Sequence, residues 1–472
     1  MAVKVVLWAF SCYKLRNVSF RKQKYMNYVS IRKHMINSES ARRAIAESMT
    51  MQFPNPIARN IAIDLSVDKI IVIAGVRRAG KTYEIFNIIK TLMFNGVPRG
   101  NILYLNFEDE RFVGLEAEDF DFIMDTFYSL TEIDENYKVY LFFDEIQNIE
   151  NWDKAIRRLY DTGKFRIFLT GSSSKLLSAE ISTSLAGRNL TYIMYPFSFK
   201  EYLVAKNLNV NMLSIYSEVK RLKKYSLEYI TFGGFPEISY TDNENTKRRI
   251  LSSYYDSILF NDIINRYKVT NPATLRLVIG YAINSYSAPF SSSKLFSYLK
   301  SLNVEISKKT VNNYISYAEN VFFFVMNLKF SSSYKKMHQS RKKLYLIDNG
   351  FTLLFKKSDD FGKLLENSVY IELLRLKEKD SDMDVFYFSY ESLEIDFILT
   401  RRNQVVQAVQ VCYDLNPSNL KREIEPLKKF LEKYNNANGT VIVMEKSSIV
   451  IDHPKIRIVE FYEWALNLDN TR

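Results

Sequence analysis

Cysteine, histidine and glycine are all scarce in this chain. The two cysteines among 472 residues, Cys12 and Cys412, exclude a disulfide framework and fit a reducing, cytoplasmic setting. His34, His338 and His453 fall in separate segments without metal-ligand spacing, which argues against a zinc site. Long apolar runs are missing too: none approaches the ~18 residues of a membrane span, so no membrane partner is expected. The N-terminal "VVLWAF" is too short for a secretory h-region, and basic rather than small residues follow it. It reads as a strand, or as a tail ahead of a later start such as Met26. With 14 glycines in all, a tight glycine pattern carries information wherever one occurs.

The remaining composition is that of a globular protein, 47% hydrophobic and 25% charged. At ~150 residues per domain the length predicts about three domains. The formal charge of +12 mildly favours polyanions as partners. Residues 1–40 hold eight Lys or Arg against Glu39 alone, and "SSSYKKMHQSRKKLY" (331–345) holds five with no acid.

One glycine pattern stands out. "KIIVIA" leads into "GVRRAGKT", Gly75-x-x-x-x-Gly80-Lys81-Thr82, and an amphipathic run follows. A strand, a curled loop and a helix start is the arrangement that aims successive backbone N–H groups at phosphates. The cradle comprises Gly75, Val76, Arg77, Arg78, Ala79, Gly80, Lys81 and Thr82. Lys81 is expected at the β- and γ-phosphates of ATP, and the Thr82 hydroxyl on Mg²⁺. Arg77 and Arg78 are expected to face solvent.

Such a loop needs a second carboxylate for the metal, and "KVYLFFDEIQNIENW" offers Asp144 and Glu145 at the end of an apolar strand. Asp144 is expected to hold the Mg²⁺ shell. Glu145 is expected to act as the base on the attacking water. Further strands are read at 101–109, 166–174 and 190–197, giving an α/β, P-loop type of parallel sheet. Residues at the C-terminal ends of such strands face the ligand. That places Thr170 and Ser172 to sense the γ-phosphate, and Asn106 to restrain Glu145.

"IAGVRRAGKT", "LYLNFEDERF", "FFDEIQNIENW", "LTGSSSKLL", "LAGRNLTYIMYPFSFKEYL" and "YITFGGFPEI" resemble, in order, the motifs of AAA-type P-loop ATPases. The most similar group is largely archaeal and carries a C-terminal region of unknown function. The resemblance spans about Met35 to the C-terminus and implies a role for Arg188, in "LAGR", as arginine finger or sensor. From the residues alone Arg188 is a basic residue after a glycine in a loop.

From Pro272 the pattern reads helix, turn, helix, helix, with Ser291–Ser293 and Ser307 as N-caps. A strand pair around a basic tip follows, which is a winged-helix order. The helix Ser307–Asn320 would enter a DNA groove and Lys335, Lys336, Arg341, Lys342 and Lys343 would touch phosphate; the alternative is a lid or protein interface. "GKLLENSVYIELLRLK" is read as an amphipathic helix with Glu366, then strands with Asp396 and "VVQAVQVCYDL". This order resembles the PD-(D/E)XK nuclease fold, yet Gln410 and Cys412 stand where that fold has its Glu-x-Lys. Gln410 brings no charge to a metal, and Cys412 cannot stabilise a phosphorane.

The expected organisation is a basic extension (1–34), a P-loop AAA-type ATPase core (35–200), a helical lid with a winged helix (201–350) and an inactive restriction-endonuclease-like α/β domain (351–472). The expected function is Mg²⁺-dependent ATP hydrolysis that switches shape on a nucleic-acid or protein partner. A nucleotide-stabilised binding module and an ATP-regulated nuclease are the alternatives; oligomeric state is open.

Overall fold

The computed structural model describes residues 39–172, 185–209, 211, 214–355, 360–391 and 393–467. The extension 1–34 and the stretch 173–184, which holds most of "SSSKLL", lie outside the described residues. The first sheet is five-stranded and parallel: β1 (Ile70–Ala74), β2 (Ile102–Asn106), β3 (Val139–Asp144), β4 (Phe165–Gly171) and β5 (Asn189–Ile193), in the order β2-β3-β4-β1-β5. β1 and β4 are buried along their whole length. Burial along a whole strand, with β1 apolar throughout, suits a parallel sheet covered on both faces.

Contacts divide the chain into two units. The first holds β2, β3 and β4, with the helices Phe120–Leu130 and Trp152–Asp161. Its register pairs Leu105 with Phe143 and Asn106 with Asp144, and Phe142 with Phe168. Phe142 and Phe168 stack at 4.6 Å, and Phe143 packs against Phe107 and Phe120 at 5.6 and 5.5 Å. Each such ring pair adds about 0.5–1.5 kcal/mol beyond burial, and together they fix the strand end that carries Asp144.

The second unit contains the phosphate loop and everything from Gly171 onward. Helix α1 (Lys81–Phe94) follows β1. Helix α2 (Glu244–Ser257) runs on into a π-helical stretch, Ile258–Asn265. Then come α3 (Pro272–Asn284), β6 (Ala288–Pro289), α4 (Ser292–Ser301), α5 (Lys308–Asn320), β7 (Phe324–Asn327) and β8 (Lys343–Leu346). The side chains of Ser291 and Ser307 cap α4 and α5, accepting from Lys294 N and Thr310 N. The three short strands form a sheet in the order β6-β8-β7, antiparallel at both pairings. A helix, Tyr334–Gln339, occupies the tip between β7 and β8.

Helix α6 (Phe361–Lys379) precedes a mixed sheet of β9 (Met383–Tyr390), β10 (Leu393–Arg401), β11 (Gln404–Val411), β12 (Asn438–Val443) and β13 (Ile456–Glu460). Its order is β13-β12-β11-β10-β9, antiparallel among β9–β11 and parallel among β11–β13. The amphipathic reading of α6 is corrected: every residue from Leu364 to Leu374 is buried. Its polar side chains find partners inside the protein. Asn367 bonds both backbone atoms of Leu346, Ser368 accepts from Asn349, and Glu372 accepts from Phe199 N and the Tyr229 hydroxyl. A buried polar group is tolerated only when so paired.

Candidate nucleotide site

The phosphate loop leaves β1 at Gly75, where a Cβ would lie 2.1 Å from the Met194 carbonyl oxygen. Only glycine lets the backbone pass there. Gly80 closes the loop at φ +100°, in the region that side chains avoid. Between them Val76 and Ala79 are fully buried and anchor the loop from beneath. Lys81 opens α1, is 4% exposed, and donates to the carbonyls of Gly75 and Val76 at 3.2 and 3.4 Å. Thr82 is half-buried beside it. Arg59 braces the same loop, donating to Ala79 O at 2.8 Å and Tyr195 O at 2.7 Å while pairing with Glu201 at 3.1 Å.

The solvent-facing expectation holds for Arg78 and fails for Arg77. Arg78 is exposed, with its guanidinium 5.5 Å over the Tyr254 ring. Arg77 grips Asp262 with two nitrogens, at 2.9 and 3.2 Å. Asp262 is 2% exposed and needs a cation there. Ser172, fully buried, donates its hydroxyl to the same carboxylate at 3.0 Å.

At the acidic strand end, in the first unit, Asp144 is fully buried. It accepts from the Thr170 hydroxyl and from the Tyr104 hydroxyl at 3.1 Å. Burial and the neighbouring carboxylate push the Tyr104 phenol up, so it stays a donor. Glu145 turns sharply away at φ +52°, with its N–H on Thr170 Oγ1 at 3.0 Å and its carboxylate accepting from Gln147. Non-glycine residues held left-handed cluster at functional sites. Asn106 accepts from Glu108 N at 2.9 Å and lies beside Asp144 in register. Arg188, half-buried, sits just before β5, its N–H on Leu185 O.

A second lysine overturns part of the basic-wing expectation. Lys343 starts β8 and is 2% exposed. Its ammonium lies 3.2 Å from Glu366, 3.3 Å from Asp396 and 2.7 Å from Glu394. It cannot touch an external phosphate, because a buried ammonium needs those carboxylates. Burial pushes Lys343 down, but the three carboxylates outweigh it and hold it above its usual value. Burial and Asp396 drive Glu366 up, and Tyr345 donates to it at 2.6 Å. Gln410 points its amide at Glu423 at 2.7 Å. Cys412 belongs to the apolar core under the mixed sheet, and burial pushes its thiol up to about 12.

Three of these residues are missed in the sequence and a fourth, Lys343, is misassigned. Arg59 gave no signal, being a lone Arg outside any periodic run. Asp262 gave one, as the single acid in the apolar stretch "SILFNDIIN". Lys343 looked like the other wing cations, although it opens the apolar strand "KLYL". Gln147 stands two residues from Glu145 and reads as an ordinary turn residue.

Three family descriptions match the chain: an AAA domain over residues 67–203 and domains of unknown function, DUF8612 and DUF4143, over 223–359 and 361–464. MJ1544, an uncharacterized protein of Methanocaldococcus jannaschii, is 40% identical over 420 residues, 87% of this chain and 91% of that one. An uncharacterized Haemophilus influenzae protein is 33% identical, covering 84% and 94%. The DNA-bound Orc1 protein of Aeropyrum pernix aligns at 12% identity and TM-score 0.29, over 67% of this chain and 90% of that chain. The chain belongs to one family with MJ1544, and its residues 67–203 are a P-loop AAA domain.

Proposed function

We propose that the chain binds ATP with Mg²⁺ and hydrolyses it to ADP and phosphate. The observation that carries this reading is the loop Gly75–Thr82, where glycine is sterically required and a buried Lys81 rests on backbone carbonyls. Lys81 opens the helix that follows this loop, the position from which an ammonium meets the β- and γ-phosphates. Thr82 and Asp144 are the residues that would hold the ion accompanying ATP, whose contribution is to neutralise phosphate charge. In this reading Glu145 takes the proton of the attacking water, and Gln147 and the Thr170 hydroxyl fix that turn. Arg188 answers the charge that develops on the transferred γ-phosphoryl group, as the family resemblance implies.

The turnover test uses wild type and Glu145→Gln. The variant should keep ATP binding and lose turnover by ~10²–10⁴-fold, the usual cost of removing a general base. Unchanged turnover would assign the base elsewhere.

A polyanionic partner is the second reading, and one observation favours it. Residues 272–346 run helix, strand, two helices and two strands, the order of a winged helix. Beside its tip lies an open cleft of about 460 Å³. Lys329, Lys336 and Lys433 line it with Phe330, Tyr390 and Tyr434, and no acid is among its described lining residues. Cations interleaved with aromatic faces suit single-stranded nucleic acid. The mixed sheet 383–460 is, in our reading, no nuclease, because Gln410 and Cys412 stand where a metal-binding carboxylate and a lysine would be needed, and Glu366 and Asp396 are tied to the Lys343 ammonium. Purified protein should leave plasmid, single-stranded DNA and RNA intact with Mg²⁺ or Mn²⁺. Cleavage abolished in Asp396→Ala would overturn this.

A further inference from the structure

We propose that Asp262 competes with the γ-phosphate of ATP for Arg77 and Ser172, making it the residue that distinguishes ATP from ADP. The inference rests on the nucleotide-binding reading above.

Asp262 stands in an apolar helical stretch whose Ile258, Leu259 and Ile263 are each 1% exposed. A carboxylate buried among such neighbours is costly unless it is charge-paired and hydrogen-bonded. Arg77 and Ser172 both come from segments that the nucleotide reading places at the ligand. Arg77 belongs to the phosphate loop, and Ser172 follows the end of β4, where an α/β sheet meets its ligand. A planar guanidinium fork together with a hydroxyl is also the donor set that recognises phosphate oxygens. Asp262 therefore presents to the loop two anionic oxygens, as a phosphoryl group would.

A γ-phosphate brought to Arg77 places like charge beside Asp262 and offers the guanidinium a stronger anion. The pair must then open. ADP ends one phosphoryl group earlier and leaves the pair closed. The consequence falls on Ile258–Asn265, a π-helical run of eight residues. π-Turns are rare and concentrate at functional sites. This run continues from α2, whose Tyr255 packs on Phe323 and Phe355 at 6.0 and 5.2 Å. Loss of the tie to Arg77 thus releases a helix that is packed against residues 323–355. A purely structural ion pair would weaken or strengthen binding of both nucleotides alike, since neither would meet the carboxylate.

The test is calorimetric binding of ADP and of the β,γ-methylene analogue of ATP to wild type and Asp262→Asn, both with Mg²⁺. The variant should bind the triphosphate about tenfold more tightly, within the usual range of coupling between sites, with little change for ADP. An equal change for both nucleotides, or none, would overturn the proposal. Binding of neither nucleotide by wild type would instead overturn the nucleotide reading beneath it. Should Asp262→Asn fail to fold, hydrogen exchange on wild type decides. The triphosphate should speed amide exchange in 258–265 and ADP should not; identical exchange with both would overturn the proposal.

Discussion

Lys81 and Lys343 are both withdrawn from water, 4% and 2% exposed, but they stand in different parts of the fold. Lys81 donates to neutral carbonyls of its own loop at 3.2 and 3.4 Å. Lys343 is surrounded by Glu366, Asp396 and Glu394, which match its charge and exceed it. The first lysine sits at the helix start after a glycine loop, where an incoming phosphate would meet it. The second is tied down, because removing one member of a buried pair strands the rest. Burial of a lysine therefore says little about function by itself; the segment that carries it separates a lysine that serves a ligand from one that serves the fold.

The comparison can be broken most forcefully at Glu145, whose conversion to Gln should cost ~10²–10⁴ in turnover while Lys343→Met leaves turnover per folded molecule unchanged. A steady-state phosphate-release assay on both variants checks this. Lys343→Met should lower stability by about 3–5 kcal/mol, read as the loss of midpoint in a urea melt, with Glu366→Gln added to it restoring part. A Lys343→Met protein as stable as wild type would show that the cluster does not need its cation.

A pH series sharpens the same point. Burial raises both Glu366 and Asp396 above ordinary carboxylate values in the folded state. The folded protein then retains protons that the unfolded chain releases. This contribution to stability is present at low pH and falls as pH rises through the window above the unfolded value, about 4. Without the Lys343 ammonium both groups move higher still. The penalty of Lys343→Met should therefore shrink between pH 8 and pH 5; a constant penalty in paired melts would contradict the charge account.

The smallest effect concerns the exposed cations between β7 and β8. Neutralising Lys335, Lys336, Arg341 and Lys342 should flatten the log–log salt slope of single-stranded DNA affinity by about 0.7 per lost contact. An unchanged slope would assign the tip to another role.

What the sequence disclosed was local. The glycine spacing of 75–80, the apolar strand before Asp144, and the serine caps at 291 and 307 each announce themselves within a few residues. The pairs that decide the sites are distant. Arg77 and Asp262 are 185 positions apart, and Lys343 reaches Asp396 across 53, so no window of sequence contains both partners. The helix Phe361–Lys379 misled for the same reason. Its Glu, Asn and Ser residues looked solvent-facing because their partners lie elsewhere in the chain.

The most direct measurement is nucleotide affinity, by calorimetry with Mg²⁺ and the β,γ-methylene analogue of ATP, for wild type, Lys81→Ala and Lys343→Met. Binding should vanish in Lys81→Ala with the melting temperature retained, and persist in Lys343→Met at a temperature where it is still folded. Wild-type affinity in Lys81→Ala would contradict the account at its centre.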